Sequence, residues 1–160
     1  MRVAGLRWRA WDVQEKDEAD FGHLVQHLPE RPGVYAVTGR HDATSGKGVL
    51  YIGEAGRAPE RTLRHRVPAS VGEVLLGGKP GATYTLYSDV WDLTIRWAEL
   101  TSDLIDGVEE LLIMIHSPPF NSKKVRKADL KPEYQDLLVM SSGRKGPIIP
   151  IVAGAYFTDW

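Results

Sequence analysis

The sequence has no cysteine at all. Disulfides and thiolate metal sites are therefore excluded, and a reducing, cytoplasmic compartment is the natural expectation. Long hydrophobic runs are missing too. The longest apolar run of helical character, Leu111 to Ile115, is far too short to cross a bilayer. The stretch Met1 to Asp12 lacks the apolar centre of a signal peptide, so no membrane partner is expected. Net charge is almost absent: 20 Lys and Arg against 21 Asp and Glu leave −1. The sum names no partner, and only the distribution of charge can. What remains is an ordinary globular composition, 42% hydrophobic over 160 residues, enough to build one core in one domain.

Positive charge gathers in two places, Arg57, Arg61, Arg64 and Arg66, then Lys123, Lys124, Arg126 and Lys127. Both are candidate nucleic-acid-binding segments. Leu6 to Trp11 alternates large and polar residues and predicts a strand. Its interleaved Trp and Arg have the makings of a base-stacking surface, but one packed and one solvated face is the simpler reading. Phe21, Leu24, Val25 and Leu28 mark one face of a helix that Asp20 can cap and Pro29 and Pro32 end. His23 and His27 lie one turn apart on it, without a third ligand nearby, which favours solvated positions over a metal site.

Val34 to Val37 and Val49 to Ile52 predict two strands of an antiparallel hairpin around a polar, glycine-rich loop, Gly39 to Gly48. Ser45-Gly46-Lys47-Gly48 lacks the rest of a phosphate-binding P-loop. Pro59 suits the first turn of a following helix, on which Arg61 and His65 share a face while Leu63 and Val67 point inward; Pro68 closes it. Thr83 to Val90 suggests a further strand, and Leu93 to Ala98 predicts the third core strand. Leu104, Val108, Leu111, Leu112 and Ile115 then form a broad apolar stripe. Glu109 sits at its margin, where a carboxylate demands a partner, and Glu110 is predicted more exposed. Pro118-Pro119 stops this helix. Ile148 to Val152, interrupted by Pro150, reads as an edge strand or packing tail.

These residue types suit phosphodiester hydrolysis. Glu109 offers a hard oxygen ligand for Mg²⁺ or Mn²⁺, and Arg61 a forked donor for phosphate oxygens. Tyr35 or Tyr51 can take a proton from water if its pKa is lowered by a neighbouring Arg or metal, and His65 can accept the tyrosine's proton. Each residue alone is more often structural; the joint order and spacing carries the reading.

Gly33-Val34-Tyr35, Tyr51-Ile52-Gly53, Arg61 eight residues later, His65 one turn on, and Glu109 twelve residues before Asn121 together resemble the GIY-YIG nuclease family. The resemblance covers about residues 32–124. It implies an α+β fold, a small three-stranded antiparallel sheet flanked by helices, with extensions 1–31 and 125–160 that match no module of the family. It also implies a catalytic set of Tyr35 as general base relayed through His65, Tyr51 near the attacking water, Arg61 on the phosphate, Glu109 as ligand of a single divalent ion, and Asn121 stabilising the backbone. The histidine is most similar to restriction-type members. The expectation is a metal-dependent DNA endonuclease, with RNA and a homodimer kept open, against the alternative of a non-cleaving nucleic-acid-binding module that uses the two basic segments.

Overall fold

The computed structural model describes residues 1–14, 18–41, 46–72, 90–122, 125–126 and 129–154. Three strands form its centre: β2 (Gly33–Arg40), β3 (Gly48–Ala55) and β4 (Trp91–Glu99). β2 lies in the middle, antiparallel to both neighbours. This is the predicted hairpin plus third strand. The suggested strand at Thr83 to Val90 falls almost wholly outside the described residues.

The sheet does not stop at three strands, which corrects the expected architecture. β1 (Arg2–Asp12) pairs antiparallel with β4, β5 (Leu137–Gly143) pairs parallel with β1, and β6 (Ile151–Ala153) closes the edge, giving the order β3-β2-β4-β1-β5-β6. The N- and C-terminal extensions are thus continuations of the core sheet. The alternation in β1 explains why it fits there. Ala4, Leu6 and Trp8 are buried on one face while Gly5, Arg7 and Arg9 remain exposed on the other, and the Trp8 indole N–H donates to Ser141 of β5 at 3.1 Å. Proline confines β6 to the edge, as expected for a strand that cannot supply a full ladder.

Helices cover both faces. On one, α3 (Ile105–His116) packs Val108, Leu111 and Leu112 against Val34, Ala36 and Ile52. On the other, α1 (Glu18–His27) and the residue after it bring Leu24 and Leu28 to Val37 and Ile95. That face also receives α2 (Leu63–Val67), whose Leu63 and Val67 are fully buried. α2 is shorter than predicted. It begins at Leu63, not at Pro59, and beyond Val67 the chain continues through a wider π-type turn, Pro68–Gly72.

One further expectation changes. Glu110 is as enclosed as Glu109, each 9% exposed. Tyr134 and Leu137 close against Gly107, so α3 is covered on a side that a three-stranded sheet leaves open. His23 and His27 are exposed, as expected; the His27 ring also lies 4.8 Å from Trp11 and its Nδ1 is 2.8 Å from the His23 carbonyl. Burial pushes the His116 imidazole down to about 4, and its Nε2 accepts from the Ile149 N–H, tying the end of α3 to the turn before β6.

Candidate active site

The tyrosines meet at the free edge of the core sheet. Tyr35 stands on β2 beside Gly53 of β3. A side chain at residue 53 would collide with the Tyr35 ring, which is the physical reason that Tyr51-Ile52 is followed by glycine. Gly33 is required for a similar reason: a Cβ there would run into the Ala98 carbonyl of β4. Tyr51 faces the same side as Tyr35, with ring centroids 6.1 Å apart. Tyr35 is fully buried and Tyr51 only partly so. Burial raises the pKa of both phenols above the ordinary tyrosine value, most strongly for Tyr35.

The cation acting on both phenols is Arg66, whose charge pulls each pKa downward against burial. Its guanidinium Nε is buried without a hydrogen-bond partner among the described residues. The Tyr35 hydroxyl is held at 2.6 Å by Ser70 Oγ, from the turn after α2. Arg61 and His65 are exposed, and Arg61 lines a hollow of about 560 Å³ with Pro32, Arg57, Ser102 and Asp106, of which Arg57 and Asp106 belong to the cluster around Glu109. Leu63 and Val67 fix the inward face of α2, and positions 66 and 70 follow them at i+3 toward the sheet, whereas residue 61 precedes the helix.

Glu109 approaches from α3, on the opposite face of the sheet. It acts electrostatically on Tyr51, as does Glu54 of β3, so the carboxylates and phenols share the β3 edge. Arg57, expected on nucleic acid, is instead bound among carboxylates. Its Nε lies 3.2 Å from Glu54 and 2.9 Å from Asp106, and its Nη2 donates to Glu109 at 3.2 Å. Glu54 and Asp106 were missed from the sequence because neither falls on a motif position. Arg64 is likewise engaged, donating to the Leu28 carbonyl at 2.8 Å and pairing with Glu30 at 3.0 Å. Arg126 is exposed and paired with Asp129. Lys123, Lys124 and Lys127 lie outside the described residues.

Asn121 closes the edge. Its Oδ1 accepts from the Ile52 N–H at 2.9 Å and its Nδ2 donates to the Ile52 carbonyl at 2.8 Å, so one amide replaces a missing neighbouring strand. The adjacent Phe120 N–H donates to the Leu50 carbonyl at 3.0 Å. Asn121→Ala leaves two buried backbone groups without partners, at about 1–3 kcal/mol each. The expected outcome is a melting temperature lower by at least about 5 °C, measured by calorimetry.

The donor set fits a hard divalent cation. Glu109 presents a buried carboxylate whose charge already calls for a positive partner, and Glu54 lies beside it. Among the described residues no three His, Asp or Glu side chains converge on one point. An ion of the Mg²⁺ type needs only one or two carboxylates and completes its shell with water.

Fold and edge together define an α+β domain built on a GVY–YIG strand pair. No family model matches the chain. Among curated proteins, the UvrABC system protein C of Psychrobacter sp. (strain PRwf-1) is 31% identical over 105 residues, which is 65% of this chain and 15% of the relative. The chain therefore spans a small part of the length of the curated relative it matches. Among solved structures, the GIY-YIG N-terminal endonuclease domain of UvrC from Thermotoga maritima, a point mutant bound to the catalytic divalent cation, aligns with a TM-score of 0.42 and 19% identity. The alignment covers 66% of this chain and 99% of that domain. By its motifs and over this partial match, the chain is similar to the GIY-YIG nuclease family.

Proposed function

We propose that this chain is a divalent-metal-dependent endonuclease that hydrolyses phosphodiester bonds in DNA. The observation that carries the reading is the grouping along β3 of the Tyr35–Tyr51 pair on one face and the Glu54–Arg57–Glu109 cluster on the other, with Arg66 acting on both phenols. Its relatives among UvrC proteins support a DNA substrate.

The roles follow from chemistry. Glu109 would hold the ion, which when bound supplies charge neutralisation at phosphate and acidifies water. Arg66 takes the phosphate role first expected of Arg61. A planar, always-charged fork beside two neutral phenols, with a buried N–H lacking an acceptor among the described residues, matches a non-bridging phosphate oxygen. Tyr35 rests as a neutral, fully buried phenol, and it would become a base only where Arg66 and a bound cation outweigh its burial and lower its pKa. Its hydroxyl is hydrogen-bonded to Ser70. Tyr51, less buried, completes the polar wall facing Glu109. Asn121 holds the strand that carries Tyr51 and Gly53.

His65 is exposed, and the proposal carries no restriction-type assignment. The non-cleaving alternative loses ground because Arg57 and Arg64, two of its presumed contacts, are committed to internal partners. Incubation of supercoiled plasmid with Mg²⁺ or Mn²⁺ should yield nicked circles, and a chelator should stop the reaction. Intact plasmid under every divalent ion tried refutes the proposal.

A further inference from the structure

The exposed face of β1 lies in line with the tyrosine pair. Arg9 stands opposite Trp97 on β4, and Trp97 stands opposite Tyr35 on β2. Directly opposed residues point to the same face. Tyr35, Trp97 and Arg9 therefore form one transverse row, with Arg9 two strand spacings, ~10 Å, from Tyr35. Two hollows flank this row and share Arg7, Arg9 and Trp97. One of about 230 Å³ ends at Glu99, and one of about 470 Å³ ends at Arg144 and His27.

Arg7 and Arg9 are exposed and make no ion pair among the described residues. Arg144 is anchored by Asp12 at 3.0 Å, and so brings less free charge. Trp97 lines both hollows. It is 3% exposed, and its indole N–H is buried without an acceptor among the described residues. A buried, unsatisfied donor is costly, and a phosphate oxygen in the hollow would satisfy it.

We propose that the Arg7–Arg9–Trp97 groove binds the phosphate backbone of the DNA flanking the cleavage site. Successive phosphates on one strand step by ~3.4 Å along the duplex axis, so ~10 Å places the groove about three nucleotides from the tyrosines. The cations fit a polyanion, and their position on a strand outside the three-stranded core makes the N-terminal extension part of the substrate track. The inference rests on the nuclease reading for its substrate, but it can fail separately.

The test uses the full chain, a labelled duplex and a salt series in the presence of chelator, with plasmid nicking assayed in parallel. Arg7→Gln combined with Arg9→Gln should weaken duplex binding at least about tenfold, and should make the slope of log affinity against log salt shallower by about 1.8, the loss of two phosphate contacts. Trp97→Phe, which keeps the ring and the net charge, should weaken binding a few-fold with the slope unchanged. Unaltered affinity and slope in the double variant, with nicking intact, overturn the groove and leave the nuclease standing. Loss of binding in the double variant, with no nicking by the wild type, keeps the groove and overturns the nuclease. Absence of both binding and nicking in the wild type overturns both.

Discussion

Arg66→Ala is expected to reduce DNA nicking by about a thousandfold, whereas Arg61→Ala should leave it within about threefold. The contrast follows from where the two guanidinium groups stand. Arg66 acts on both phenols from a half-buried position, with its Nε unpartnered among the described residues, while Arg61 is exposed. A preorganised donor aimed at charge that develops in the transition state is worth ~10²–10³ in rate, and a forked, charged donor lies at the upper end of that range. Arg66→Lys should recover only part of the loss, because a point charge cannot reproduce the fork. Single-turnover rates on a nicked-circle assay, with circular dichroism to confirm folding, decide the matter. A dead Arg61→Ala beside an active Arg66→Ala reverses the assignment.

This pair of residues also shows where the sequence can be read and where it cannot. Strands announce themselves through alternation, so Val34 to Val37, Val49 to Ile52 and Leu93 to Ala98 were legible, and the tyrosines they carry came with them. The Glu109–Asn121 spacing was legible for the same reason, since a regular helix ending at Pro118-Pro119 transmits register. Between Gly53 and Leu63 no such regularity exists. The chain turns irregularly through residues 56–62, and counting eight positions from Gly53 lands on a residue that precedes the helix. The inward pair Leu63 and Val67 was recognised, and carried one step further it points to Arg66 and Ser70 at i+3 from them.

The outer half of the sheet was illegible for another reason. β1 and β5 pair in parallel across more than a hundred intervening residues, Arg2 opposite Leu137. Nothing local in either segment encodes that partnership; it arises because the buried side of each needs the same core as α3. The same neighbours enclose Glu110, so an exposure estimated from helix periodicity alone could not succeed. Ion pairing was equally hidden. Arg57 reads as part of a basic cluster along the chain, yet in space its neighbours are Glu54, Asp106 and Glu109.

Glu109→Gln is the second substitution with a large expected effect, and Arg57 makes it informative. The wild-type carboxylate is buried and paired with a guanidinium, so an incoming divalent ion must compete with an internal cation. Glutamine keeps the shape and the ability to accept from Arg57 but loses the charge that an ion requires. Nicking should fall by at least about 10³-fold, and the heat of Mn²⁺ binding in titration calorimetry should vanish. Duplex binding in chelator should persist, since one negative charge near the phosphate has been removed. Arg57→Gln should act in the opposite sense on the ion alone. The Arg57 side chain is half exposed, and such pairs are worth ~0.2–1 kcal/mol, so freeing Glu109 from it should tighten Mn²⁺ binding by up to about fivefold. Wild-type nicking and undiminished Mn²⁺ binding in Glu109→Gln would place the ion elsewhere, and unchanged Mn²⁺ affinity in Arg57→Gln would show that guanidinium and ion do not share the carboxylate.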